Sequence, residues 1–310
     1  MKSGRSLGIF ILAIISFGTA RSQDTGSFLS QPDSVLSFDD SLSIFNMIDS
    51  LLMAQDVGSQ LAIRVAYNSN VLSAGRTLGI ENFGLSPGIS YYHTSGFYAD
   101  VSGFWSKDFQ PEYYLTTASA GYMRDFGKHV SVMLDYDHYF YSNDDGYVPY
   151  TNALSVTPLL EFKPVTFGVT YSLYFGDTHV HRIMPGLSAR FQKRKWAHLD
   201  RVSITPSAYV LMGNDIYTEI RYPYSIRETI FRYNHNLPWY QIVDHNVFGV
   251  MNYSFSAPLN IIKKNWSLTL TYTYSIPKAL PGEVLTYSES SFISGSLSYF
   301  IDLKRKKLSL

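Results

Sequence analysis

The chain has 310 residues, in which 25 Lys and Arg balance 25 Asp and Glu, with 25 Tyr, 20 Phe and no Cys. Zero net charge argues against nucleic acid as a partner. The lack of Cys excludes disulfides, thiolate metal sites and cysteine nucleophiles.

Lys2 and Arg5 form a short basic region ahead of the apolar run from Leu7 to Phe17, and Ala20-Arg21-Ser22 supplies small residues beyond it. This order predicts a signal peptide over 1–22, too short to span a bilayer as a helix. Residues 23–37 are rich in Ser, Asp, Gln and Gly and read as a periplasmic lead that ends at 59. Within it the period changes. Leu42, Phe45, Ile48 and Leu52 fall on one stripe, which predicts an amphipathic helix over 40–54 with Asp39 or Asp40 as N-cap.

From Gln60 onward the dominant period is two. At 266–276 the sequence is Trp-Ser-Leu-Thr-Leu-Thr-Tyr-Thr-Tyr-Ser-Ile, and 165–176 repeats the alternation. A strand turns successive side chains to opposite faces, so each such segment has one greasy and one hydroxylated face. Segments of about ten residues or more, rich in Tyr and Phe, are the pattern of a transmembrane β-barrel. The expected fold is all-β: an antiparallel up-and-down barrel over 60–303 with about twelve strands, or fourteen if 216–233 forms a further hairpin. The expected strands are 60–72, 83–94, 96–106, 112–126, 128–142, 148–162, 164–176, 180–192, 200–213, 245–259, 265–277 and 290–303. Short and long connections alternate between them. Bacterial barrels keep short turns in the periplasm, so both termini are expected there, followed by a basic tail over 304–310. Pro87, Pro158, Pro185 and Pro206 fall inside expected strands, where each should mark a bulge or bend.

The signal segment, the alternation, the aromatic belts and the terminal strand ending Leu297-Ser-Tyr299-Phe-Ile301-Asp-Leu303 resemble outer-membrane β-barrel proteins of Gram-negative bacteria. The Tyr-rich texture is similar to barrels of Bacteroidota. The resemblance implies an outer-membrane location and carries no functional motif.

Alternation places Arg64, Asp100, Asp135, Asp137, Glu161, Arg190 and Asn252 on the lumen side. Charges of both signs across a lumen set up the transverse field of a pore. The same residues would also close a filled barrel with ion pairs. The longest connection, 214–244, carries Arg221, Tyr224, Arg227, Arg232 and Trp239, a mixture suited to sugars, anions or a protein surface. His93-Thr94-Ser95 offers a Ser–His pair without an orienting group, and His179 with His181 offers two imidazoles without a third ligand. No enzymatic set, metal or cofactor is therefore expected. The expected partners are outer-membrane lipid and small polar solutes, or a periplasmic or surface protein. Three functions follow in order: a passive or weakly selective pore for small polar solutes, a non-channel surface or assembly barrel, and a lipid-modifying enzyme.

Overall fold

The computed structural model describes residues 58–69, 84–107, 111–142, 150–282 and 287–303. The expected signal peptide, lead, helix 40–54 and basic tail lie outside these residues. In chain order the strand segments are β1 (Ser59–Asn68), β2 (Gly84–Tyr92), β3 (Phe97–Trp105), β4 (Tyr113–Phe126), β5 (Val130–Tyr141), β6 (Asn152–Phe162) and β7 (Val165–Phe175). They continue as β8 (His179–Ala189), β9 (Phe191–Trp196), β10 (Leu199–Ile204), β11 (Ser207–Arg221), β12 (Gln241–Lys263), β13 (Trp266–Pro277) and β14 (Ser290–Leu303). One helix, α1 (Ile226–Asn234), stands between β11 and β12. β9 prolongs β8 past Arg190, and β10 runs into β11 past Pro206. The segments thus make a closed 12-strand antiparallel barrel.

Closure is made by β1 and β14, paired from Ser59 with Leu303 to Asn68 with Ser294. All connections are hairpins between sequence neighbours. One end of the barrel gathers the strand ends Ser59 and Leu303 and the connections 93–96, 127–129, 163–164, 197–198 and 264–265. We call this the turn end. The opposite, loop end carries the longer connections. The turn at 197–198 places Ala197 and His198 at φ of 51° and 65°, the left-handed pair that a two-residue hairpin requires.

The two faces of each strand differ as the alternation requires. On β1, Ile63, Val65 and Tyr67 are 46–48% exposed, whereas Gln60, Ala62 and Arg64 are buried. Ile89, Val101, Leu134, Leu154, Phe255, Leu270 and Ile293 continue the outward apolar belt. Such a belt suits lipid and not water. Outward aromatic residues mark both rims: Phe97, Phe126, Phe162, Trp196 and Trp266 at the turn end, and Tyr67, Phe140 and Tyr272 at the loop end.

Three expectations need correction. The four prolines do not shift register. Leu85 with Trp105 and Gly88 with Ser102 keep one register across Pro87, and the β6–β7, β8–β11 and β9–β10 pairings do the same across Pro158, Pro185 and Pro206. Each proline lacks one N–H toward one neighbour, so the ladder is interrupted there and resumes in phase. The bulges lie instead at Phe104/Trp105 and Leu211/Met212. The 193–199 connection is also shorter than expected, because the strand continues to Trp196. Finally, 214–244 is not a plain loop. β11 and β12 stay paired from Asn214 with Phe248 to Arg221 with Gln241, and the residues at the tip form α1. The fourteen-strand alternative therefore fails.

Two cross-strand contacts inside the barrel depend on glycine. A Cβ on Gly121 would stand 2.2 Å from Cζ of Tyr98, and one on Gly186 would stand 2.2 Å from Cδ1 of Tyr209. Each tyrosine lies over its directly opposed glycine. Gly121→Val should displace the buried Tyr98 ring and cost about 1–3 kcal/mol by overpacking. The check is the urea midpoint of the refolded barrel, with loss of heat-modifiable gel migration as a second readout.

Candidate functional site

The inward face is built from three kinds of side chain. The first is hydroxyl and amide. Across β12, β13 and β14 the lumen positions include Ser254, Ser256, Asn260, Ser267, Thr269, Thr273, Ser275, Ser296 and Ser298. Many bond across strands. Asn260 Nδ2 donates to Ser267 Oγ at 3.2 Å and to Thr269 Oγ1 at 3.0 Å. Ser207 and Ser256 hydroxyls meet at 2.7 Å, and Ser155 and Ser172 at 2.7 Å.

The second is a buried ionic network on β1, β2 and β3. Arg64 Nη2 lies 3.5 Å from Asp100 Oδ1 and donates to Ser102 Oγ at 2.8 Å. Ser102 Oγ donates to Asp100 Oδ1 at 2.7 Å, and Ser90 Oγ to Asp100 Oδ2 at 2.5 Å. Gly88 makes room for this network, since a Cβ there would stand 2.5 Å from Ser102 Oγ. The second nitrogen, Arg64 Nη1, is buried with no protein partner among the described residues.

The third is a set of charges without that closure. Asp135 and Asp137 share the inner face of β5, and both are half-buried. Asp137 accepts a hydrogen bond from Ser119, which is in register with Asp100 on its other side. Asp100, Ser119 and Asp137 thus form one line across β3, β4 and β5. No cation forms an ion pair with Asp135 or Asp137 among the described residues. Glu161 is half-buried near the turn end of β6. Arg190 sits in the break between β8 and β9, where its backbone N–H donates to Pro164 O at 2.8 Å. It interacts electrostatically with Arg201, which opposes Arg194 in register. The alternation thus brings Arg64 and Asp100 into contact and aligns Asp137 with them, while Glu161 and Arg190 lie apart toward the turn end.

Asn252 is almost fully buried, with Nδ2 donating to Ser254 Oγ at 2.8 Å. Arg182 is an inward charge absent from the sequence-based set. Its Nη1 donates to the Asn214 carbonyl, and Gly213 leaves it space, since a Cβ there would stand 2.6 Å from Arg182 Cδ. Its parity with Arg190 on the same strand is the signal that could have found it.

At the loop end an apolar group of Phe104, Tyr114, Leu115, Tyr139 and Ala153 packs against Tyr141 and Tyr174. Beyond it projects the β11–β12 ribbon. Seven residues, Asp215–Arg221, pair with β12 alone. That reaches about 23 Å at ~3.3 Å per residue. Ser225 caps α1 by accepting from the Glu228 N–H at 3.2 Å. Arg232 ties helix to ribbon: it pairs with Glu228 at 3.3 Å and donates to Pro238 O, Tyr240 O and Gln241 Oε1. It is thus a brace. Arg221 lies over the Tyr224 ring at 5.6 Å, whereas Arg227 and Trp239 face solvent. Pro223, Thr229, Tyr233, Asn236, Leu237 and Trp239 line a cleft of about 270 Å³ with Arg232.

The histidines arrange themselves as follows. His93 Nδ1 and Ser95 Oγ meet at 2.6 Å in the turn before β3, and no carboxylate bonds this imidazole among the described residues. His138 points away from Asp135 and Asp137 and bonds Asn152 at 2.8 Å. His179 and His181 rings are 6.0 Å apart, with His181 bonded to Tyr171. No group of three metal-ligating side chains occurs among the described residues.

No protein-family model and no curated protein matches the sequence. Among solved structures, the chain is similar to the KdgM porin at 9% identity and a TM-score of 0.44, over 77% of this chain and 98% of that one. It is similar to the NanC porin at 11% identity and a TM-score of 0.40, over 77% and 98%. It is also similar to LpxR from Salmonella typhimurium at 12% identity and a TM-score of 0.40, over 78% and 100%. These likenesses are too remote to carry an inference about a solute or a reaction.

Arg64→Ala should strand the Asp100 carboxylate in a buried site and cost about 3–5 kcal/mol. Adding Asp100→Ala should restore part of that loss. Chemical denaturation of the two variants checks both outcomes.

Proposed function

We propose that this barrel is a passive, weakly selective pore for small polar solutes in a Gram-negative outer membrane, with its turn end in the periplasm. The observation that carries the reading is the Asp135–Asp137 pair. The two carboxylates repel one another from adjacent inward positions. Among the described residues Ser119 is the only hydrogen-bond partner of the pair, and no guanidinium or ammonium neutralises it. In a dry interior such a pair would have to take up protons, so carboxylates that stay charged here call for a hydrated lumen. Hydroxyls on the facing wall offer exchangeable donors and acceptors to a polar solute without fixing it. The reading takes the barrel as non-enzymatic; among the described residues no carboxylate bonds the His93 imidazole beside Ser95.

A second reading, a surface-binding barrel, is favoured by one observation. α1 buries none of its residues, and Ile226, Tyr233 and Trp239 are 67–81% exposed at the tip of the ribbon. Exposed apolar residues in that number suit a partner.

Purified protein in planar bilayers should conduct ions with a preference for cations. Asp135→Asn with Asp137→Asn should move the cation-to-anion permeability ratio toward unity. Absence of conductance from well-folded protein would instead select the surface-binding reading. The chain has no cysteine, so single cysteines report topology cleanly. A cysteine at Ser225 should react with an impermeant maleimide on intact cells, and one at Gly127 should react only after the outer membrane is permeabilised.

A further inference from the structure

The barrel assembles a cationic collar at one rim that no single stretch of sequence displays. Four of the turn-end hairpins carry lysine in or beside the turn, next to an outward aromatic residue: Lys128 follows Phe126, Lys163 follows Phe162, Lys195 precedes Trp196 and Lys264 precedes Trp266. All four lysines are exposed, and the four aromatic rings are 45–61% exposed. Lys193 and Lys263 add to the collar, with Lys193 Nζ 5.9 Å from the centre of the Trp196 ring. None of these lysines forms an ion pair with a carboxylate among the described residues. The nearby acids Asp125, Glu161, Asp200 and Asp302 are not ion-paired with these lysines among the described residues. Asp125 accepts from Ser131, Asp200 accepts the Lys264 backbone N–H at 2.6 Å, and Asp302 accepts from Gln60.

A bilayer puts its headgroup phosphates at the level of an aromatic girdle, just beyond the acyl chains that touch the apolar belt. A lysine one or two residues beyond the girdle reaches that level with its ammonium while its stem stays against apolar surface. We infer that the turn-end collar is a binding surface for anionic phospholipid headgroups of the leaflet it spans. The aromatic ring sets the depth and the lysine supplies the charge. The described loop-end connections carry one such pairing, Lys107 two residues after Trp105, against four at the turn end.

The test uses the full chain with Trp105→Phe and Trp239→Phe, which leaves Trp196 and Trp266 at the collar as the fluorescent reporters. The protein is reconstituted in vesicles containing brominated phosphatidylglycerol or brominated phosphatidylcholine at equal mole fraction. Phosphatidylglycerol should be favoured at the collar by about fivefold, as expected for roughly one lysine per headgroup. The preference should fall to about one when Lys193, Lys195, Lys263 and Lys264 are replaced by Gln, and return when they are replaced by Arg. Equal quenching by the two lipids in the protein with its lysines intact would overturn the inference, and that comparison stands even if the Gln variant does not fold. A preference that survives in a folded Gln variant would also overturn it. So would its removal by excess inorganic phosphate at constant ionic strength, which would make the site a phosphate site and not a bilayer contact.

Discussion

Hydrocarbon offers no hydrogen bond to a peptide group, and that constraint governs the rest of this structure. A strand inside a bilayer must have both neighbours, so the sheet has to close. Here closure rests on ten consecutive β1–β14 partners that join the two ends of the strand region. The same constraint explains the prolines. A missing N–H is tolerable once per ladder if the remaining bonds resume in phase, and all four prolines have that arrangement. Their rings point outward, where an apolar group without a donor suits lipid.

Closure in turn creates an interior that must be solvated or filled. The barrel does some of each, in different sectors. One sector is closed by Arg64, Asp100, Ser90 and Ser102, which bond one another, and by the aromatic group around Tyr139 near the loop end. Another is left open in chemical terms: Asp135 and Asp137 stand without a cation among the described residues, beside hydroxyl ladders that bond across strands. Glycine decides where the first kind is possible. Gly88, Gly121, Gly186 and Gly213 each give up a side chain so that an arginine, serine or tyrosine can lie against the wall. The shape of the lumen is therefore written as much by missing Cβ atoms as by the charges they admit.

The β11–β12 ribbon obeys a different rule. Beyond Asn214 it leaves the barrel, and its strands have only each other. A nine-residue helix with no buried side chain is too short to persist by propensity alone. It is held by the Ser225 cap and by the four contacts of Arg232. That arrangement fixes a set of exposed aromatic and aliphatic residues well away from the bilayer. The turn end is the opposite case, with connections of two to four residues and basic residues beside outward aromatic rings.

The sequence by itself determined the fold class, the strand order and the parity of each strand, because a period of two is local and a one-residue slip would expose an entire polar face to lipid. Arg64, Asp100, Asp135 and Asp137 were legible as inward for that reason. Only the tertiary structure decided what those residues meet. Whether Asp100 finds Arg64 two strands away, or Asp137 finds no cation, depends on register between strands, which parity does not encode. It also decided the fate of 214–244, since strand pairing there persists without a barrel neighbour and the tip helix depends on contacts to the ribbon.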